Sequence, residues 1–91
     1  MKITFFEIQG WEKPMIKKAL KNHSLTFIKE PLTLENIKLA KNSDIISIFI
    51  YSHIDKKILT HLNKLKFIAT RSTGFDHINI KACKKDNIKV F

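Results

Sequence analysis

Residues 66–79 read KFIATRSTGFDHIN, and this stretch decides how the fold is predicted. Its first half is apolar and β-prone, which predicts a strand over residues 66–70. A polar loop with a single glycine, Gly74, follows, and Asn79 is well placed to cap a helix over residues 80–85. The order strand, tight polar loop and helix is typical of open α/β sheets, in which the loops at the carboxyl ends of strands hold the ligand.

The loop has the composition of an anion-binding loop. Gly74 has no Cβ, so backbone N–H groups can approach a ligand closely and a positive φ angle is accessible. Successive N–H groups of such a loop form a concavity that binds anions, and Arg71 adds a planar fork suited to a carboxylate. The alternative that the spacing leaves open is a plain β-turn with Gly74 at its left-handed position.

The remainder of the chain alternates between strand-like and helix-like segments. Apolar runs predict strands over residues 2–8, 24–29, 44–51, 66–70 and 88–91. Apolar residues at helical spacing predict four helices: after Pro14, from Leu34 to about Lys41, from a capping box of Ser52 with Asp55, and after Asn79. This alternation with short connections implies an α/β fold with one parallel sheet and helices on both faces.

Length and composition narrow the class of protein. Ninety-one residues, 44% of them hydrophobic, make one domain that can bury a core. The apolar runs are far shorter than the roughly 18 residues of a membrane span, and the first residues lack the pattern of an export leader. Cys83 is the single cysteine and cannot form an internal disulfide, so we expect a protein of the reducing cytoplasm with no membrane partner.

The net charge of +9 raises the alternative of a small basic module that binds nucleic acid or another polyanion. Sixteen of the 17 basic residues are lysine, however, and only Arg71 has the fork that bases and phosphates favour. The lysines are spread through every predicted helix rather than gathered in a block. We interpret them as solvated helix faces that bind polyanions weakly at low salt, without a specific nucleic-acid site.

The loop also carries a family resemblance. Its sequence RSTGFDHI, residues 71–78, resembles the Arg-x-x-Gly-x-Asp-x-Ile signature in the substrate domain of NAD-dependent D-2-hydroxyacid dehydrogenases, with the D-lactate dehydrogenase branch nearest. Weaker similarity extends over the whole chain, at residues 1–3, 12–14, 32–33 and 82–85. The resemblance implies a flavodoxin-like three-layer domain with strand order 2-1-3-4-5. It also implies an oxidoreductase that interconverts a lactate-like D-2-hydroxy acid and its 2-oxo acid.

The resemblance further implies where the substrate binds. In the family, the residues that match Thr73 and Gly74 offer backbone N–H groups to the substrate carboxylate. We therefore expect Ser72, Thr73 and Gly74 to form a carboxylate-binding loop. Three residues at the end of the neighbouring predicted strand are expected to shape the pocket for the substrate's side chain: Phe49, Tyr51 and Ser52. For the two aromatic residues, ordinary core packing is an equally open alternative.

Two further loop residues are given structural roles. Asp76 is expected to accept hydrogen bonds from N–H groups of the loop and so hold its shape. His77 is expected to be a local hydrogen-bonding residue, because the family's catalytic histidine lies far downstream. No pair of histidines has zinc-ligand spacing. We therefore assign no catalytic and no metal-binding residue to the chain.

The sequence lacks the means to bind the family's cofactor. Gly10 and Gly74 are its only glycines, so no Gly-x-Gly-x-x-Gly phosphate loop is possible. In the family, the NAD-binding domain and the catalytic Arg, Glu and His follow the segment seen here. We expect residues 1–91 to be the N-terminal segment of a substrate-binding domain, incomplete at its C-terminal end and inactive by itself. Its expected partners are a small 2-oxo or 2-hydroxy acid, the remainder of the dehydrogenase chain, and a second copy in a homodimer.

A receiver-type signalling domain is a further alternative with the same fold. Such a domain needs an acidic cluster after the first strand, an Asp after the third and a Lys after the fifth. Glu7 is the only acid in the first predicted strand, and Tyr51 and Ser52 follow the third. The sequence therefore argues against a receiver.

Overall fold

The computed structural model describes residues 1–91 as one five-stranded sheet in which every neighbouring pair of strands is parallel. The strand order is 2-1-3-4-5, so the predicted flavodoxin-like α/β fold is confirmed together with its strand order. The strands are β1 (Lys2–Phe5), β2 (Ser24–Phe27), β3 (Ile45–Ile48), β4 (Phe67–Thr70) and β5 (Lys89–Val90).

The strands are shorter than the apolar runs that predict them. β1 ends before Glu7, whose φ of 57° lies in the left-handed region and turns the chain out of the sheet. β3 ends at Ile48, because the next N–H group, that of Phe49, donates to the carboxylate of Glu7 at 2.9 Å. Apolar composition therefore marks where the strands are buried, whereas polar contacts between distant residues decide where they end.

Three α-helices and two 3₁₀ helices connect the strands. They are α1 (Lys13–Ala19), α2 (Lys56–Leu59), α3 (Ile80–Lys85) and 3₁₀ helices at Gly10–Glu12 and Ile37–Ala40. α3 agrees with its prediction, and the Asn79 side chain caps it by accepting the N–H of Ala82 at 3.0 Å. None of these helices combines the length and the apolar character that crossing a membrane requires.

The second predicted helix is wrong in extent and type. Only the 3₁₀ helix at Ile37–Ala40 forms, and the preceding residues are turns. The Asn36 side chain accepts the N–H of Thr33 at 2.8 Å and donates to the carbonyl of Pro31 at 2.9 Å. Such local side-chain bonds offer the backbone an alternative to the helical ladder.

The third predicted helix begins later than expected. α2 starts at Lys56, and Asp55 is its N-cap because the Asp55 carboxylate accepts the N–H of Ile58 at 2.9 Å. The predicted capping box is wrong, because the hydroxyl of Ser52 donates to Glu7 at 2.6 Å instead of capping a helix.

The sheet separates two apolar layers. On one face, Ile46 and Ile68 are fully buried in a cluster that includes residues of α2, α3 and the 3₁₀ helix at Ile37–Ala40. On the other face, Ile3 and Phe5 pack against Ile16 and Leu20, from α1 and its end. The result is the three-layer arrangement that the alternating pattern predicts, with the strand ends left at two polar edges.

Apolar surface is exposed beside the edge strand β5. Phe75, Ile80 and Phe91 are all exposed there. They line a cavity of about 550 Å³ whose full lining is Phe75, Ile80, Lys84, Ile88, Lys89, Val90 and Phe91.

Candidate functional site

The loops that follow β3 and β4 line two adjoining cavities at the carboxyl edge of the sheet. We call residues 71–78 the signature loop. The larger cavity, of about 600 Å³, is lined by Phe49, Ile50, Thr70, Arg71, Ser72, Thr73 and Gly74. The smaller, of about 280 Å³, is lined by Ile50, His53, Gly74, Asp76 and His77. Ile50 and Gly74 line both cavities, so the two form one continuous surface around the tip of the signature loop.

The signature loop keeps its main-chain donors free. The N–H of Arg71 donates to the carbonyl of Ile48 at 2.8 Å, and the N–H of Ile78 donates to the carbonyl of Phe75 at 3.0 Å. Between these two bonds, none of the six N–H groups from Ser72 to His77 donates a hydrogen bond within the chain. These unpaired N–H groups are therefore available to water or to an anionic ligand.

A chain of side-chain hydrogen bonds crosses the base of the signature loop. The Ser72 hydroxyl donates to the carbonyl of Gly74 at 2.8 Å, so the 2.7 Å contact between Ser72 and Thr70 uses the proton of Thr70. Thr70 then has no proton left for His77, whose Nε2 lies 2.9 Å from its Oγ1. Nε2 of His77 must therefore carry a proton and donate it to Thr70. The predicted local hydrogen-bonding role of His77 is confirmed.

Gly74 does not have the positive φ that the sequence allowed. A Cβ built at Gly74 meets no atom within 4 Å. The fold therefore places no steric demand for glycine at this position.

Arg71 is not the ligand-facing fork that the sequence suggested. Its guanidinium donates to the Ser47 hydroxyl at 2.7 Å and to the carbonyls of Phe6 and Glu7 at 2.6 and 3.0 Å. Its Nε also lies 3.9 Å from the carboxylate of Glu12. Burial lowers the pKa of Arg71 from its ordinary value, and the charges of Glu12 and Glu7 act in the opposite direction. Arg71 thus clamps the ends of β1 and β3 together from β4.

Glu7 supports this edge of the sheet, a role that the sequence analysis does not assign to it. Its carboxylate accepts the N–H groups of Phe49 and Tyr51 at 2.9 and 3.1 Å, as well as the Ser52 hydroxyl. Arg71 holds the backbone of Glu7 in place from the other side. The available signal was a lone acid within an otherwise apolar strand, since a charge in such a run needs a partner.

Ser52 lies beneath the larger cavity and does not line it. The residue is fully buried, and its hydroxyl donates to Glu7 and accepts the N–H of Leu32 at 2.9 Å. The structure therefore leaves Ser52 able to shape the pocket only indirectly, through its contact with Glu7. Its contact with Glu7 supports the loop that carries Phe49 and Tyr51.

Phe49 and Tyr51 project from the end of β3 and are not part of the core. Tyr51 is 67% exposed, and the two rings meet edge to face with centroids 6.4 Å apart. Phe49 lines the larger cavity together with Ser72, Thr73 and Gly74, so the structure brings these four predicted residues into one place. Tyr51 contacts the cavity only through Phe49.

Asp76 does not have its predicted role. Its carboxylate accepts no hydrogen bond within the chain, because the loop N–H groups that it was expected to bind are unpaired. Asp76 instead lines the smaller cavity beside His53 and His77. No group of three or more His, Cys, Asp or Glu side chains in the structure could hold a metal ion.

Comparison with known families shows which protein family carries this carboxyl edge of the sheet. The sequence profile described as D-isomer specific 2-hydroxyacid dehydrogenase, catalytic domain, matches residues 3–91. The chain belongs to this dehydrogenase family. The matched residues include both the signature loop and the end of β3, so the dehydrogenase assignment covers the cavity-forming edge of the sheet.

Individual relatives agree with the family assignment. The chain is 31% identical to a 2-hydroxyacid dehydrogenase homolog of Zymomonas mobilis, over 99% of this chain and 28% of that protein. It is 32% identical to the D-2-hydroxyacid dehydrogenase (NAD(+)) of Clostridioides difficile, over 99% of this chain and 29% of that protein. The structure of D-lactate dehydrogenase from Aquifex aeolicus, complexed with NAD and lactic acid, matches with a TM-score of 0.89 at 33% identity, over 97% of this chain and 26% of that one. The chain therefore spans less than a third of the length of these dehydrogenases.

Proposed function

We propose that the chain forms the substrate-binding part of an oxidoreductase that interconverts a small D-2-hydroxy acid, of lactate size, and its 2-oxo acid with NAD(H). Membership of the dehydrogenase family supports this class of reaction. The observation that carries the proposal is the run of six unpaired N–H groups from Ser72 to His77, at the carboxyl end of β4.

The signature loop binds the substrate carboxylate in this proposal. The N–H groups of Thr73 and Gly74 donate to the carboxylate oxygens, with the N–H of Ser72 beside them. Hydrogen bonds to a charged group contribute about 1.5–3 kcal/mol each. Two of them account for a millimolar affinity, which corresponds to about −4 kcal/mol. The charge of Arg71, which lines the cavity, favours an anion there, while three of its N–H donors hold Ser47, Phe6 and Glu7.

The end of β3 limits the substrate's side chain. Phe49 lies in the cavity with Thr73 and Gly74, and its ring is supported edge to face by Tyr51. Ser52 and Glu7 hold the backbone of this segment from below. A ring at this position suits a small apolar substituent such as the methyl group of lactate.

NAD binding belongs to another part of such an enzyme. Gly10 and Gly74 are the only glycines, so these residues do not form a glycine-rich loop that could cradle a dinucleotide's phosphates. The relatives are more than three times as long as this chain. We assign the cofactor site and the acid/base of hydride transfer to that additional length. Residues 1–91 alone are then expected to bind a 2-oxo acid and to show no oxidation of NADH.

The test is a titration of the ¹⁵N-labelled protein with pyruvate. We expect saturable shifts of the Thr73, Gly74 and Phe75 amides, with a dissociation constant on the order of millimolar. Pyruvamide, which has the same shape without the charge, is the control and should leave these amides in place. Shifts absent from the signature loop, or equal for pyruvate and pyruvamide, would reject the proposal.

Gly74→Val separates binding from folding. A Cβ at this position meets no atom within 4 Å, so the unfolding midpoint should change little. The side chain covers the N–H groups, and pyruvate affinity should fall by about tenfold or more, equivalent to about 1.4 kcal/mol. In a longer dehydrogenase that carries this chain, the same substitution should raise the KM for a 2-oxo acid by a similar factor. An unchanged affinity and KM would contradict the assigned role of Gly74.

A further inference from the structure

The opposite edge of the sheet carries a second polar cavity, and it contains an unusual feature of the β1–β2 pair. One face of this pair is apolar, with Ile3 beside Leu25 and Phe5 beside Phe27. The other face carries only polar residues: Lys2, Thr4, Ser24 and Thr26, paired in register as Lys2 with Ser24 and Thr4 with Thr26. Thr4 on this face is buried, whereas Lys2, Ser24 and Thr26 are exposed, so the face beside the edge strand β2 is open to water and to polar ligands.

The residues between the Ile37–Ala40 helix and β3 close this polar face into a cavity. Its volume is about 210 Å³. The lining comprises Lys2, Thr4, Ser24, Thr26, Lys38, Leu39, Lys41, Asn42 and Ser43. It contains three lysines, four hydroxyl groups and no carboxylate.

The three lysines of the cavity have no ionic partner in the chain. The only ion pair of the structure joins Arg71 to Glu12 at the other edge of the sheet. Asp44 follows the lining residue Ser43 in the sequence but does not itself line the cavity. Its carboxylate accepts the N–H of Lys2 at 2.9 Å. That hydrogen bond is the main cause of the lowered pKa of Asp44, with the charge of Lys66 among the smaller ones. The lining of the cavity thus carries positive charge at Lys2, Lys38 and Lys41 and no carboxylate, while the carboxylate of Asp44 is bonded to the main chain of Lys2.

Two buried hydroxyl groups point to a ligand independently of the lysines. Thr4 and Ser43 are 3% and 4% exposed, and their hydroxyl oxygens lie 2.6 Å apart with no other hydrogen-bond partner. Each hydroxyl has one proton, and one of the two protons forms this bond. The other proton has no acceptor in the chain. Since both residues line the cavity, the pair supplies one donor to whatever occupies it.

We propose that this cavity binds a small dianionic oxyanion, namely inorganic phosphate or the phosphate group of a monoester. Three ammonium groups supply the charge, and the Thr4–Ser43 pair with the hydroxyls of Ser24 and Thr26 supplies neutral donors to the oxygens. The site lies at the amino edge of the sheet, whereas the signature loop lies at the carboxyl edge. Strands of four residues separate the two edges by roughly 13 Å. The proposal does not depend on the dehydrogenase reaction.

The experiment titrates the 91-residue protein with inorganic phosphate at constant ionic strength, with chloride as the balancing anion. We expect saturable ¹⁵N shifts at Thr4, Thr26, Asn42 and Ser43, with a dissociation constant on the order of millimolar. The unfolding temperature should rise with phosphate and not with chloride. Shifts spread over all surface lysines, or the same response to chloride, would overturn the proposal.

Two double variants locate the binding. Lys38→Gln with Lys41→Gln should weaken phosphate binding about tenfold or more, whereas Lys56→Gln with Lys57→Gln removes the same charge on α2 and should leave binding unchanged. Thr4→Val with Ser43→Ala removes both buried hydroxyls at once, a change that costs little stability because neither partner is left unpaired. This second double variant should also weaken phosphate binding while its fold, checked by the ¹⁵N spectrum, persists. Equal affinity in both lysine variants, or full affinity without the two hydroxyls, would refute the site.

Discussion

The end of β3 and the signature loop lie side by side at one edge of the sheet, yet they treat their main-chain donors in opposite ways. In residues 49–52, three of four N–H groups are engaged, two of them by the carboxylate of Glu7. In the signature loop, six successive N–H groups from Ser72 onward have no partner in the chain. One segment is held by the protein, and the other leaves its donors available to water or to a ligand.

The difference follows from where the charged residues lie. The Glu7 carboxylate accepts the N–H groups that follow β3. The guanidinium of Arg71 donates to β3 and to the end of β1 rather than to other residues of the signature loop. The signature loop receives only neutral hydrogen bonds, through Thr70, Ser72 and His77 at its base. A binding site of this kind combines a rigid wall, which fixes its shape, with a loop whose donors are free.

The largest expected effect comes from removing the Glu7 carboxylate, which accepts the hydrogen bonds of residues 49–52. Glu7→Ala leaves two N–H groups and the buried Ser52 hydroxyl without their acceptor, and we expect a loss of about 3 kcal/mol in the free energy of unfolding. For a domain of this size, the midpoint should fall by on the order of 15 °C in a thermal melt. Glu30→Ala, which removes an exposed carboxylate without hydrogen-bond partners, is the control and should be nearly neutral.

Glu7→Gly tests whether backbone strain at residue 7 lowers the free energy of unfolding of the native protein. Glycine tolerates the φ of 57° at residue 7 but also lacks the carboxylate. We expect Glu7→Gly to be more stable than Glu7→Ala by about 1 kcal/mol and still less stable than the native protein. If Glu7→Ala melted like Glu30→Ala, the contrast between the two segments would not rest on Glu7.

An intermediate effect is expected from Arg71→Lys. A lysine cannot reproduce the fork that contacts Ser47, Phe6 and Glu7 together, and urea unfolding should show a loss of about 2 kcal/mol. Glu12→Gln, which removes only the ion pair at 3.9 Å, should cost less than about 1 kcal/mol. If Arg71 instead bound the substrate carboxylate, Arg71→Lys would keep native stability and lose pyruvate affinity.

The smallest effect concerns the hydrogen-bond chain at the base of the signature loop. The direction of its bonds requires neutral His77 to carry its proton on Nε2, which long-range ¹H–¹⁵N correlation spectra of the imidazole report. Ser72→Ala frees the Thr70 hydroxyl to donate to His77 and should cost about 1 kcal/mol while relaxing the tautomer preference. A native His77 protonated on Nδ1 alone would contradict this account; exposed His53 serves as the internal reference.

Much of the fold was predictable because its signals are local. The apolar runs, the Asn79 cap and the strand–loop–helix pattern of residues 66–85 act over a few residues, and each agrees with the structure. The second helix differs from its prediction because Asn36 bonds locally against the pattern, whereas the end of β3 and the capping box differ because Glu7 bonds residues far along the chain. Helix periodicity alone does not register such competition.

The candidate site was predicted less completely. The loop residues Ser72, Thr73 and Gly74 and the aromatic Phe49 lie together in the larger cavity. The sequence does not single out Glu7, and it indicates a ligand for the fork of Arg71, which in the structure bonds Ser47, Phe6 and Glu7. Ser52, expected among the residues that shape the pocket, is fully buried and contacts Glu7 rather than the cavity.

The sequence by itself determined the succession of elements, the parallel sheet and the loop where an anion is proposed to bind. Only the tertiary structure decided which donors of that edge are occupied and which are free. The physical reason is distance along the chain. Glu7 bonds residues 42 to 45 positions away, and Arg71 bonds the backbone of Phe6 65 positions away. The sequence shows which groups each side chain can bond. Only the side-by-side packing of β1, β3 and β4 brings these groups within hydrogen-bonding distance of one another.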